Sequence, residues 1–175
     1  MKKLFATFLF VVCLASAGLA KMSTDDLLRS RAAVVWIGGK QIGDLMVGAD
    51  AKLYFQFIDR KLAEAIYSEP STFPDEILWN ASYIDKASRG KCNLVILVYK
   101  AVSRWTFDPA KITINGEPLQ KQRVYSSLLS IPTGSLAADT LDVIAFGVPR
   151  SLSKPGSTIV FGYENYKSEF VVPQK

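Results

Sequence analysis

The side chains able to do chemistry are few, and their spacing argues against an enzyme. The 175-residue chain contains no histidine. That removes the commonest general base near neutral pH and the commonest metal ligand. Ser-His-Asp and Cys-His catalysis go with it, as do zinc sites built on histidine. Of the two cysteines, Cys13 lies in an N-terminal apolar run and Cys92 directly precedes another. A lone Cys92 in the processed chain makes neither an internal disulfide nor an all-thiolate zinc site, and its place before Asn93–Val98 suits a small buried hydrophobe.

Two carboxylate pairs stand close in sequence, Asp75 with Glu76 and Asp139 with Asp142. A glycosidase needs two acids opposed across a cleft, which sequence proximity does not provide. Both pairs read as solvated loop residues. Ser151-Leu152-Ser153-Lys154 offers a serine and a lysine, but Pro155-Gly156 turns the chain at once. Gly38-Gly39-Lys40-Gln41-Ile42-Gly43 lacks the Gly-Lys-Ser/Thr ending of a P-loop and the spacing of a dinucleotide loop, so it reads as a turn. No catalytic residue, metal ligand or cofactor is assigned.

Aromatic side chains are the more suggestive set. Trp79, Tyr83, Tyr125, Tyr163 and Tyr166 sit beside turns or on alternating segments. Exposed Trp and Tyr anchor protein partners or stack on sugars, and these five are the candidate contacts.

Residues 1–20 set the expected address. Lys2 and Lys3 precede an apolar run from Leu4 to Leu14, and small residues follow at Ala15, Ala17, Gly18 and Ala20. That is the layout of a secretory signal peptide. Phe10-Val11-Val12 before Cys13 does not fit a lipidation site. The expectation is an exported domain over 21–175, periplasmic or extracellular, with no transmembrane segment after cleavage. The whole chain carries +5; losing Lys2 and Lys3 leaves about +3, spread without the dense basic stripe that a nucleic-acid binder needs.

The elements that must position these residues are mostly strands. Ala32–Ile37, Gln41–Val47, Leu53–Ile58, Glu76–Ile84, Asn93–Val102, Lys111–Ile114, Leu119–Leu129, Leu141–Val148, Ser157–Tyr163 and Tyr166–Val172 are the predicted strands. Gly38-Gly39, Asn115-Gly116, Lys154-Pro155-Gly156 and Glu164-Asn165 are the turns. Ser23–Arg31 opens like a short helix. Asp59–Ser68 switches to a four-residue apolar spacing at Ile58, Leu62 and Ile66, which predicts one short amphipathic helix. Asp85–Lys91 reads as a charged turn and Pro132–Asp139 as a loop. The class is mainly β, an antiparallel β-sandwich.

The interval from Cys92 to Trp105 resembles that between the strand-B cysteine and strand-C tryptophan of immunoglobulin domains. The later cysteine of that pattern is missing, since Ala145 and Phe146 stand where it would fall. The resemblance implies an immunoglobulin-like sandwich and nothing about activity. The expected function is a non-catalytic binding module of the bacterial cell envelope or surface that recognises a protein. A carbohydrate-binding module is the alternative, and a carboxylate-based glycan hydrolase a further one.

Overall fold

Alternation of buried and half-buried residues organises the computed structural model, which describes residues 22–127 and 131–174. The expected signal segment lies outside the described residues. The chain is mainly β, with antiparallel sheets. In order, α1 (Thr24–Arg29) leads into β1 (Ala32–Ile42) and β2 (Leu45–Ile58). Then come α2 (Arg60–Ser68), α3 (Asp75–Leu78) and α4 (Tyr83–Arg89). The remaining strands are β3 (Cys92–Ala101), β4 (Trp105–Phe107), β5 (Ile112–Ile114), β6 (Glu117–Pro118), β7 (Gly134–Leu136), β8 (Leu141–Pro149), β9 (Thr158–Tyr163) and β10 (Tyr166–Val171). One sheet has the order β1-β2-β3-β8, a second β10-β9-β5-β6, and β4 pairs with β7.

The first sheet is buried on one face by the second sheet. Leu53, Phe55, Leu97, Ile144 and Phe146 share a core with Ile112, Ile159, Phe161 and Phe170. Its other face carries the helices. Leu28 of α1, Leu62 and Ile66 of α2, Ile77 of α3 and Ala87 of α4 pack with Leu94, Ile96, Val143 and Ala145. This two-sided cover explains why Leu94–Leu97 is a continuous buried run. Arg60–Ser68 forms the predicted amphipathic helix, with Asp59 capping it by accepting the Leu62 N–H at 2.8 Å.

Several boundaries differ from the expectation. The described residues hold four α-helices rather than one amphipathic helix and a short N-terminal turn of helix. Glu76–Ile84 is not a strand, and of the expected turn Asp85–Lys91 only Gly90-Lys91 is one, Asp85–Arg89 being helical. Glu76–Arg89 falls in α3, α4 and the turn between them. Asp75 and Glu76 sit in the first turn of α3, where their charge suits the helix dipole. The alternation of Ile77 and Trp79 misleads because Ile77 is buried while Trp79 stands 69% exposed.

Gln41–Val47 straddles the β1–β2 turn: Gln41 and Ile42 end β1, and Leu45–Val47 open the 14-residue β2 that also contains Leu53–Ile58. The expected break at Gly38-Gly39 is instead a register slip beside Ile37, with both glycines at positive φ inside β1. A Cβ on Gly39 would lie 2.9 Å from the Ala49 Cα, so only glycine lets the strands stay paired there. Leu119–Leu129 makes no strand over its described part. It contributes a 3-10 turn at Lys121–Arg123 and one bridge from Val124 to Phe146. Pro132–Asp139 contains β7. Cys92 and Trp105 do not meet, since one packs under the helices and the other between the sheets.

Candidate functional site

The helices cover only part of the first sheet's outer face, and the pairing register tells which part. Three rungs cross it. Ala32, Gln56, Ile96 and Ala145 form the first; Val34, Tyr54, Val98 and Val143 the second; Trp36, Lys52, Lys100 and Leu141 the third. The first rung is largely sealed beneath the helices, the second is partly open, and the third meets solvent. Between the helix layer and the open rungs lies a groove of about 330 Å³, walled by Leu28, Ile77, Tyr54, Val98 and Leu141. Lys52 and Lys100 stand at its open end, while Pro74 and Glu76 contribute from the α3 side.

The polar groups of this groove are unevenly satisfied. The Lys52 ammonium lies 5.0 Å from the centre of the Trp36 ring, a cation–π contact. Lys100 pairs with Asp139 at 2.9 Å, and that carboxylate is 81% exposed. Burial pushes the Tyr54 hydroxyl above its ordinary pKa, with Arg29 nearby pulling the other way. Gln56 is fully buried. Its Nε2 donates to the carbonyls of Leu28 and Arg31 at 3.3 and 3.0 Å. Its Oε1 has no hydrogen-bond partner, alone among buried side-chain oxygens and nitrogens of the described residues.

A larger cleft of about 660 Å³ lies beside α2 and the C-terminal segment, near Arg31, Lys61, Arg150 and Lys154. Much of its charge is engaged internally. Arg31 binds both Asp59 oxygens at 2.9 Å, and Arg150 donates to Ser88 at 3.0 Å. The apolar groove is therefore the stronger candidate, since concave apolar walls with a few convergent polar groups mark most binding sites.

The chain matches no protein-family model, no curated protein and no solved structure. The functional reading rests on the sequence pattern and on this geometry.

The five aromatic candidates are dispersed around the fold. Tyr83 and Tyr125 come together, ring centres 5.9 Å apart, with the Lys86 ammonium 5.8 and 5.1 Å from them. Trp79 is exposed in the turn after α3, and Tyr166 is exposed at the start of β10. Tyr163 has no surface to offer a partner. It is 0% exposed, and its hydroxyl accepts the Asp108 N–H at 2.9 Å and donates to the Thr106 carbonyl. None of the five lines the groove.

The acid pairs are engaged locally. Asp139 holds Lys100, and Asp142 accepts the N–H of Val143 at 2.6 Å. Cys92 is half-buried and its Sγ contacts the Gly90 carbonyl at 3.4 Å. Sequence reasoning missed Trp36, Lys52, Tyr54, Lys100 and Leu141. Their alternation with buried neighbours was the available signal, but it becomes a site only when β1, β2, β3 and β8 are laid in register.

Proposed function

We propose that the chain is an exported, non-catalytic β-sandwich of the bacterial cell envelope or surface, and that it binds a protein partner through a sheet face. The observation that carries the reading is the apolar groove left uncovered beside the helices, on a sheet whose other face is buried against the second sheet. Recognition through a strand edge has less support. The β8 edge is occupied by the chain itself, with Tyr125 N–H donating to the Ala145 carbonyl at 2.8 Å and Ala145 N–H donating to Ser126 Oγ at 2.7 Å. The β1 edge lies near β10 without ladder pairing to it, so of the first sheet's two edges it is the β8 edge that the chain itself occupies. The aliphatic character of Leu28, Ile77, Val98 and Leu141 also suits a protein side chain better than a sugar ring, which favours a flat aromatic platform.

The test is affinity capture of the exported chain from crosslinked cells, alongside a Leu141→Asp variant. One envelope or surface protein, recovered with the native chain and lost with the variant, supports the reading. Recovery of glycan, or of the same protein equally with both baits, overturns it. Fractionation of the same cells checks the address: a full-length chain retained in the cytoplasm would end the exported reading.

A further inference from the structure

We propose that the groove takes an extended peptide segment with an acidic group at one end and an apolar side chain behind it. The inference rests on the binding-module reading and names the chemistry of the partner. Three features of the groove each ask for something, and together they describe a peptide.

The first is charge. Lys52 and Lys100 stand directly opposite each other on neighbouring antiparallel strands, an arrangement that like charges disfavour. Among the described residues Lys52 has no ion pair, and its ammonium rests on the Trp36 ring. Among the described residues the carboxylate paired with Lys100 is that of Asp139, itself 81% exposed and so readily exchanged. A carboxylate from a partner would relieve both lysines. Glu76 is the acid lining the groove, and it sits on α3 rather than on the lysine rung. This polarity orients the acidic end toward the lysines.

The second feature is the apolar wall of Leu28, Ile77, Val98 and Leu141. It gains stability by covering itself with an aliphatic or aromatic side chain. The third is the unpartnered Gln56 Oε1 on a fully buried side chain that lines the same groove. A buried acceptor without a donor is costly, and a donor that reaches it recovers that cost. Gln56 and Lys52 are four positions apart on one face of β2, which is about 13 Å at the rise of a strand. An extended peptide of about four residues spans that length. It supplies a side chain for the wall and a carboxylate for the lysines, and its backbone N–H reaches Gln56 Oε1 once the cover that seals this atom in the free domain shifts on binding. A fatty acid supplies the first two but no donor. A neutral sugar supplies donors but neither of the others.

The experiment uses the exported full chain immobilised against a randomised library of eight-residue peptides. The expected result is enrichment of peptides with Asp, Glu or a free C-terminus two to four residues from Leu, Ile, Val or Phe. Reversing both lysines, Lys52→Glu with Lys100→Glu, should turn that preference toward Lys and Arg and weaken the original binders at least tenfold. Lys52→Glu alone gives the same reading at smaller size if the double variant folds poorly. Enrichment indifferent to the reversal overturns the proposal, and so does displacement of the selected peptides by a neutral oligosaccharide. Tight binding of sodium oleate with no peptide enriched makes the groove a lipid site instead. If no ligand of any kind is retained while crosslinked capture still yields a groove-dependent partner, the peptide chemistry fails and the binding-module reading stands. If capture also fails, both fail.

Discussion

Phe55 of β2 and Phe161 of β9 stack with ring centres 4.8 Å apart and planes 14° from parallel, bridging the two sheets at the middle of their shared core. Both are 0% exposed. Phe146 meets Phe55 edge-on at 6.5 Å, and Phe170 meets Phe161 at 6.3 Å, so the pair is the centre of a continuous aromatic layer. Truncating Phe161 to alanine should cost about 3–5 kcal/mol, because the ring is lost and the sheets cannot close on the space it leaves. Denaturant unfolding of the variant reads this directly. A loss under about 1 kcal/mol would mean that the sheets are held elsewhere.

The buried tyrosines give the domain an alkaline limit. Tyr99 is 0% exposed and its hydroxyl donates to the Pro132 carbonyl at 3.0 Å. Burial, with the Asp142 charge adding to it, holds its pKa well above the ordinary tyrosine value. Burial raises Tyr163 in the same direction. In the unfolded chain a tyrosine loses its proton near pH ~10. Above that pH the unfolded state binds fewer protons than the folded state, so stability falls as pH rises. The contribution is complete below pH ~10 and is lost progressively above it. Thermal midpoints should therefore hold steady between pH 7 and 9 and drop beyond 10. Tyr99→Phe should flatten that drop. An equal drop in the variant would remove Tyr99 as its cause.

How much of this was readable beforehand depends on the range of the interaction. Asn115-Gly116 announces its turn because both residues adopt positive φ, 53° and 83°, as a tight hairpin turn demands. The β3 run and the β9–β10 hairpin follow from local apolar pattern and turn chemistry, and both appear where expected. The helical stretch over Asp75–Arg89 was hidden because its pieces are only one or two turns long. Ile77 packs toward the sheet from α3, and Ile84 and Ala87, three positions apart, pack toward it from α4, while Ile77, Trp79, Ala81 and Tyr83 read locally as a strand alternation. The groove was hidden for a different reason. Its rungs join Trp36 to Lys52, Lys100 and Leu141 across more than a hundred positions. Only the register, which no local window contains, aligns them.

Gly147 tests whether the segment after β6 seals the β8 edge. A Cβ at this position would collide with the Tyr125 hydroxyl and stand 3.0 Å from the Cys92 Cβ. Gly147→Ala should destabilise the domain by about 1–3 kcal/mol through overcrowding. Tyr125→Phe in the same chain should restore part of that loss, since it removes the oxygen that collides. Failure of the second change to restore anything would place the strain at Cys92. Hydrogen exchange at the Ala145 amide, which Ser126 Oγ accepts in the native chain, should quicken in Gly147→Ala if the sealing segment is displaced.

Two ion pairs on the same helix separate buried from exposed electrostatics. Arg31 is 6% exposed and grips both oxygens of Asp59, which is 22% exposed and also caps α2. Arg60 and Glu64 form an exposed pair one turn further on. Removing the partner of a buried charge is expensive because the charge that remains is neither paired nor hydrated. Asp59→Ala should cost about 3–5 kcal/mol, combining the stranded guanidinium with a lost cap. Asp59→Asn keeps a capping oxygen, so the difference between the two variants isolates the cap at about 1 kcal/mol. Glu64→Gln should leave the unfolding midpoint unchanged, because solvent screens the exposed pair. Adding salt should likewise leave the Asp59 variants ranked as they are, since a buried pair is screened far less than a surface one. Equal losses for Asp59→Ala and Glu64→Gln would show that α2 is held by neither charge and only by Leu62 and Ile66 beneath it.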